Sequence, residues 1–353
     1  MLAVIVLNWN GGDDTRRCLE SLTPSTLPHR VYLVDNGSTD GSLETLTADV
    51  ILRNGRNLGF AGGCNTGAWQ AIKDGATELF FLNNDATLAL DTLEKLRAAL
   101  VNENVVAVSP RIASLPPAPS LRLKPSSVGA KGGGVGVGFP PLLPTQEEKE
   151  GEGVARNEPG ECPAEEHFWF ERGALSLQEF VIARHVEAIN NTPTDFCSGC
   201  ALLVRATDFK RVGGFDEALF AYYEDIDLCL KLASKGTCQV IPTALAWHKG
   251  SASTGGSESP RSLFYTFRNS RTVALRHGSP ERQTAYKRTW LRQGLWLASF
   301  VGGRSKDAGA AALLGMLCAR VRPSGEMPRF PLWFLWPLAI LNQKLPRRER
   351  MTL

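Results

Sequence analysis

The sequence predicts an α/β chain organised on a mostly parallel, doubly wound sheet with flanking helices, followed by a helical, basic C-terminal segment. Three observations carry this expectation. Apolar runs of strand length alternate with helical patterns through the first third of the chain, as in βα units that build a parallel sheet. The strand runs end in polar clusters such as Asn8–Gly12, Asp35–Ser42 and Asn83–Asp85, and open α/β sheets bind ligands outside the carboxyl ends of their strands. The final quarter mixes Trp and Leu with Arg. From Arg261 onward there are 17 Lys/Arg against 4 Asp/Glu, leaving 22 against 32 before it.

Each element has a local reason. Leu2–Leu7 is a continuous apolar strand, followed by the loop Asn8-Trp9-Asn10-Gly11-Gly12. Asp13 or Asp14 caps a helix to about Leu22, with Cys18, Leu19 and Leu22 on one face. Val31–Val34 is a second strand, Glu44–Leu46 a short helix, and Val50–Leu52 a third strand. The glycine-rich run Asn57–Gly67 leads into a helix over Ala68–Lys73. Glu78–Leu82 is a buried parallel strand. Asp91 caps a helix from Thr92 to about Val101, and Val105–Val108 is the next strand.

From 112 to 193 the composition changes. Proline-rich Leu115–Pro119, glycine-rich Lys131–Gly138 and charged Gln146–Glu152 bury too little apolar area to offset chain entropy. Ser114 to about Pro163 is therefore expected to be a flexible insertion, and His167–Ile189 to be helical and packed on the body. Order returns with a strand at Ala201–Val204, a short helix opening at Thr207 or Asp208, a helix starting near Glu224 and stopped by Gly236, and a strand at Gln239–Ile241. Trp290–Val301, Ala308–Cys318 and Phe330–Leu341 are apolar helical segments too short to span a bilayer. With Lys344, Arg347, Arg348 and Arg350 beyond them, they suit a segment lying on an anionic membrane surface. The chain thus divides into 1–111, an insertion 112–193, 194–256, and a C-terminal segment 257–353.

Composition also excludes. At 353 residues the chain buries a large core. Leu2–Leu7 has no basic flank and reads as a strand rather than a signal peptide. The eight cysteines are scattered, and no second CxxC or His pair completes a zinc site around Cys197-Ser-Gly-Cys200. Ordinary buried thiols in a reducing compartment are expected. Neither GxGxxG nor GxxxxGK[ST] is present in the Asn57–Gly67 run, so no dinucleotide fold or P-loop is supported.

Four constellations need one explanation. Asp35 follows a strand, where its carboxylate can accept from a pyrimidine N3–H or a ribose hydroxyl. The glycines of Asn57–Gly67 let backbone approach a ligand closely. Asp85, flanked by Asn83 and Asn84, can hold a hard cation by oxygen. Glu224, Asp225 and Asp227 open a helix behind two tyrosines, with His248 after the next strand. Each taken singly is also an ordinary turn or helix cap.

VIVLNWNG, VDNGSTDGS, NLGFAGGCNTG, FLNND and YYEDIDLCLKLASKG…AWHKGSAS together resemble the family 2 glycosyltransferases of GT-A fold, and are most similar to a rhamnosyltransferase-like branch. The resemblance covers about Leu2–Arg111 and Asp195–Thr254, and extends more weakly along the tail to about His277. It implies a GT-A type, Rossmann-like sheet split into a nucleotide-sugar half (1–111) and an acceptor half (194–256). It implies Asp225 as catalytic base, with Glu224 as runner-up. Asp85 and His248 would ligate Mg²⁺ or Mn²⁺. Asn8, Asn10, Asp35, Asn36, Asn57, Gly59, Gly62, Gly63, Asn65, Asn83, Asn84 and Asp227 would line the substrate pocket, Asn83 replacing the first acid of the family's DxD motif. The donor would be a dTDP- or UDP-sugar such as dTDP-rhamnose. The acceptor would be a glycan or glycolipid met at the cytoplasmic face of the membrane.

Two other classes compete: a non-catalytic binding protein of this fold, and a sugar nucleotidyltransferase. Intact Asp85, Asp225 and His248 weigh against the first, and the lack of a basic glycine-rich activation loop near the N-terminus against the second. A nucleic-acid partner is not expected, because the aromatic and leucine content between the C-terminal arginines suits lipid better.

Overall fold

Leu2–Asn8 (β1) occupies the middle of the sheet because it is apolar on both faces, and every residue but Leu7 is buried. The computed structural model describes residues 1–114, 168–175, 183–186, 193–249, 259–321 and 324–341. Gly12–Leu22 (α1) leads from β1 to His29–Asp35 (β2), Val50–Arg53 (β3) follows, and Gly59–Lys73 (α2) leads on to Glu78–Asn83 (β4). These four strands pair in parallel in the order β3-β2-β1-β4.

Past β4 the sheet becomes mixed. Ala86–Leu88 (β5), Thr92–Leu100 (α3) and Val105–Ser114 (β6) come next, then Phe168–Phe170 (β7), Arg172–Leu175 (β8), Ala183–Val186 (β9) and Pro193–Thr194 (β10). Ala201–Arg205 (β11) runs antiparallel between β4 and β6. After Ala206–Arg211 (α4) and Glu224–Leu232 (α5), Thr237–His248 (β12) lies parallel to β6. The order across the sheet is β10-β12-β6-β11-β4-β1-β2-β3, with β5 on β12 and β7 on β6.

Two expectations change. The described parts of the stretch His167–Ile189, expected to be helical, form strands instead: Phe170 pairs with Ile112 of β6, and β8 pairs with β9. Aromatic residues fit a pleated edge better than a helix once a partner strand is available. Helix α2 begins at Gly59 rather than at Ala68, so the glycine-rich run is helix and not loop. Gly59 has φ +77°, and a Cβ there would collide with the Phe220 carbonyl; one on Gly63 would collide with the Leu7 side chain. These glycines bring α2 against the sheet and the 220 turn, not against open space. The expected flexible insertion, Ser114 to Pro163, lies outside the described residues apart from Ser114 itself, the last residue of β6.

The C-terminal helices are Pro260–His277 (α6), Pro280–Gly302 (α7), Lys306–Val321 (α8) and, after a 3₁₀ turn at Leu332–Leu335, Trp336–Leu341 (α9). Ser259 and Ser279 cap α6 and α7, each followed by proline at the first helical position. Helix α6 is anchored in the body rather than set apart from it. Arg268 is fully buried and donates to the Leu219 carbonyl at 2.8 Å, and to those of Ala218 and Gly325. Asn269 Nδ2 donates to the carbonyls of Leu219, Ala221 and Tyr222 at 2.9, 2.8 and 2.7 Å. No helix among the described residues is long and apolar enough to cross a membrane.

Candidate active site

Parallel pairing sets the first half of the site. Asn8 stands opposite Asp35 of β2, and Leu7 opposite Asn83 of β4, so the polar strand ends align along one edge of the sheet. Asn8 has no exposed surface. Its Nδ2 donates to Asp35 Oδ1 at 3.2 Å, Ser38 Oγ at 3.0 Å and Ser42 Oγ at 3.1 Å, while its Oδ1 accepts from Thr15 Oγ1 at 2.7 Å. Asn8 therefore positions Asp35 rather than facing a substrate. Asn10 is exposed at φ +52°, and its Oδ1 accepts from Thr39 N at 2.8 Å.

The neighbouring amides play similar parts. Buried Asn36 donates to Asn57 Oδ1 and the Gly59 carbonyl, both at 3.0 Å, and accepts from Leu58 N. Asn57 Oδ1 also accepts from Gly59 N at 2.8 Å, fixing the start of α2. Asn65 is buried and bonded to Phe215 and Glu217. Gly62 packs on Leu58, as Gly63 does on Leu7. Four residues expected to line the pocket, Asn36, Gly62, Gly63 and Asn65, thus build its wall from behind. Their partners are backbone atoms, the polar side chains of Asn57 and Glu217, and apolar side chains, which the sequence does not advertise.

Asn83 ends β4, and Asn84 and Asp85 form the turn that follows it. Asn84 Nδ2 donates to Thr15 Oγ1 at 2.9 Å. Pairing of β5 with β12 sets His248 opposite Ala86, which brings His248 Nε2 to 2.8 Å from Asp85 Oδ1 and 3.2 Å from Asn83 Nδ2. Both partners of the Asp85–His248 pair are buried. Burial opposes a charged imidazole, but Cys200 and Asp85 outweigh it and hold the His248 pKa up to about 10.

The acidic helix start comes from the other half. Phe220, Tyr222 and Tyr223 all have positive φ, at 66°, 65° and 73°, a strained run held by the Asn269 bonds. It delivers Glu224 and Asp225 side by side. Asp225 is partly exposed, whereas Glu224 and Asp227 are buried. Asp225 Oδ2 accepts from Gly199 N and Oδ1 from Ile226 N, both at 2.8 Å. Burial, and then the adjacent Asp225 charge, push the Glu224 carboxyl well above the usual carboxylate range. Burial also raises Asp225, opposed by the backbone donors of Gly199 and Ile226, which favour its charged form.

Asp227 differs from expectation. Its side chain has no exposed surface, and Lys231 Nζ, Arg276 Nη1 and His277 Nε2 lie at 2.7, 2.7 and 2.8 Å from its oxygens. It is the centre of an ion cluster joining α5 to α6 and has no face left for a substrate.

Cys200 links the two halves. Its carbonyl accepts from Asn83 N at 2.8 Å, and its buried thiol feels His248, Asp85 and Asp225 together. Asp85, His248 and Asp225, far apart in the chain, therefore share one neighbourhood.

With this arrangement in place the comparisons are decisive. Residues 3–131 match the family model described as Glycosyl transferase family 2. The chain carries a family 2 glycosyltransferase domain, and the protein is a glycosyltransferase. It is 28% identical over 272 residues to N-acetylglucosaminyl-diphospho-decaprenol L-rhamnosyltransferase of Mycobacterium tuberculosis, covering 72% of this chain and 78% of that one. A stretch of 60 residues is 53% identical to rhamnosyltransferase WbbL of Escherichia coli, covering 17% of this chain and 23% of that one. The crystal structure of S. aureus TarS 1–349 in complex with UDP-GlcNAc superposes with a TM-score of 0.50 at 15% identity, over 90% of this chain and 81% of that chain. That likeness shows the GT-A fold.

In this glycosyltransferase, sequence reasoning missed Cys200, Gly199, Asn269, Arg276 and His277. The Arg276-His277 pair offered a weak signal, two basic residues ending an amphipathic helix, but that pattern is also common at surfaces. Nothing local marks Asn269 as the holder of the 219–222 carbonyls.

Proposed function

We propose that the protein transfers a deoxyhexose, with rhamnose as the leading case, from a dTDP- or UDP-sugar to a hydroxyl of a lipid-linked glycan, inverting the anomeric centre. The observation that supports this most is the convergence of Asp85, His248 and Asp225 around Cys200 at the strand ends. The relatives named above act, by their names, as rhamnosyltransferases, one of them on a diphospho-decaprenol-linked acceptor.

The residues fit a divalent cation. Asp85 Oδ1 and His248 Nε2 face one another at 2.8 Å, and Asn83 Oδ1 is buried without a hydrogen bond among the described residues. Oxygen donors with one imidazole nitrogen suit Mg²⁺ or Mn²⁺. When bound, such an ion offsets the charge that develops on the leaving diphosphate. Asp225 accepts the proton of the acceptor hydroxyl as the new bond forms. Attack from the face opposite the diphosphate inverts the centre without a second carboxylate nucleophile. Burial and the Asp225 charge disfavour a second negative charge on Glu224 beside the incoming hydroxyl. Asp35 accepts from the nucleoside, its orientation set by Asn8.

The full chain incubated with dTDP-rhamnose, Mg²⁺ or Mn²⁺, and a polyprenyl-diphospho-N-acetylglucosamine acceptor should release dTDP only when acceptor and metal are both present. Release of pyrophosphate, or no release across a panel of dTDP- and UDP-sugars, would reject the reading.

The lipid-linked acceptor agrees with the surface of the C-terminal helices. Trp333, Phe334 and Leu338 are more than half exposed, at 56%, 57% and 58%. The Trp333 and Phe334 rings stack at 3.8 Å, and Lys306 lies over Trp336. Exposed aromatics with cations beside them seat at a headgroup boundary, so this face rests on the cytoplasmic side of the cell membrane. Lys344, Arg347, Arg348 and Arg350 lie outside the described residues. The double substitution Trp333→Ala and Phe334→Ala should weaken co-sedimentation with anionic vesicles by roughly tenfold or more, the loss of two exposed aromatic side chains that the membrane would cover. Unchanged partitioning would remove this face from membrane contact.

A further inference from the structure

Three of the cysteines expected to be scattered thiols meet in the core. Cys197 precedes β11, Cys229 lies on α5 and Cys238 on β12, yet their sulfurs are all within 4.8 Å of one another. Each is a free, buried thiol. The backbone also joins them: Cys197 N donates to Cys229 Sγ at 3.3 Å, and Cys197 Sγ to the Gln239 carbonyl at 3.5 Å. Beside Cys197 stands the Ser109 hydroxyl. It is fully buried, and among the described residues its hydroxyl meets the Cys197 thiol and makes no hydrogen bond of ordinary geometry elsewhere, so a polar group faces the cluster.

We propose that Cys197, Cys229 and Cys238 form a buried three-thiolate site for a soft, thiophilic cation of the Zn²⁺ or Cd²⁺ class. Metal–sulfur bonds of about 2.3 Å place sulfurs roughly 4 Å apart in a trigonal or tetrahedral set, which the observed spacing reaches with small side-chain movement. Each thiol gives its proton to solvent as its bond to the metal forms. Ser109 Oγ is available to the fourth position. Soft sulfur donors separate this site from the oxygen-rich pair Asp85 and His248, which suits hard ions.

The site lies directly behind the candidate base. Cys229 is one turn after Asp225 on α5, and Gly199, two residues after Cys197, donates to Asp225 Oδ2 at 2.8 Å. A cation here ties the 197–199 loop to α5 at a second point and stiffens the support of Asp225. Cation binding itself does not depend on the proposed transfer reaction.

The test uses the reduced full chain, stripped with a chelator and titrated with Cd²⁺ in excess Mg²⁺. One equivalent should bind with the ultraviolet charge-transfer absorption of cadmium–thiolate bonds, and Zn²⁺ should displace it. Cys238→Ser and Cys197→Ser, checked for folding by circular dichroism, should each weaken that equivalent by at least about tenfold, while Cys318→Ser leaves it intact. Absence of the charge-transfer band in the folded chain, or the same binding in whichever of the two cluster variants folds, overturns the proposal. Neither result bears on whether dTDP is released in the transfer assay.

Discussion

Asp225→Asn should lower kcat by about 10³-fold while leaving nucleotide-sugar affinity within about twofold, because a positioned general base contributes roughly 10²–10⁴ to rate. The amide keeps the size of the carboxylate, and its oxygen still accepts from Gly199 N or Ile226 N, so the helix start stays in place. What is lost is the proton acceptor. Glu224→Gln should be far milder, since burial and the neighbouring charge already push that carboxyl well up and disfavour its charged form. The contrast separates chemistry from folding: both residues sit on the same turn. Turnover by steady-state release of nucleoside diphosphate, alongside donor binding by calorimetry, reads both. Near-normal turnover in Asp225→Asn, or a larger loss in Glu224→Gln, would transfer the role of base.

The largest stability effect is expected at Asp227. Asp227→Ala should cost about 3–5 kcal/mol, the usual penalty for breaking a buried ion cluster from one side, because Lys231, Arg276 and His277 would be left facing one another. Denaturant unfolding, with the midpoint compared at unchanged m-value, measures it. The same cluster gives an acid limb. Burial alone would raise the Asp227 pKa, but its bonds to His277, Lys231 and Arg276 prevail and lower it from 3.8 to about 2. A carboxylate with a depressed folded pKa stabilises above its unfolded pKa and loses that stability as pH falls through the folded one. The cluster therefore contributes about 2 kcal/mol above roughly pH 4, lost progressively towards pH 2. Asp227→Asn should flatten stability against pH in that window. An unchanged acid profile would show that the cluster does not set it.

These expectations separate two neighbours that look alike on paper. In Glu224-Asp225-Ile226-Asp227 the three acids read as one group at a helix start, and Asp227 was expected to meet substrate. Helical geometry turns residues two apart to different sides. Asp225 is left partly exposed beside Gly199, whereas Asp227 meets α6 through partners 49 and 50 residues downstream. The Asn57–Gly67 run shows the same limit. Its glycines do mark close approach, but the approach is of helix to strand, and composition alone does not say which surface is approached.

The sequence by itself determined the parallel strands β1 to β4, the helices between them, the polar residues at their ends and the family motifs. The strands, helices and polar ends follow from periodicity and composition within short windows, which are what a chain records locally, and the motifs follow from resemblance to a known family. Only the tertiary structure decided that Asp85, His248 and Asp225 surround Cys200, that Asn8 and Asn36 support the site rather than face it, that α6 holds the turn before Asp225, and that three distant cysteines meet. Those facts depend on strand register and on which helix face packs inward. Both are settled by long-range burial and hydrogen-bond partners, which leave no periodic trace in the residues that supply them.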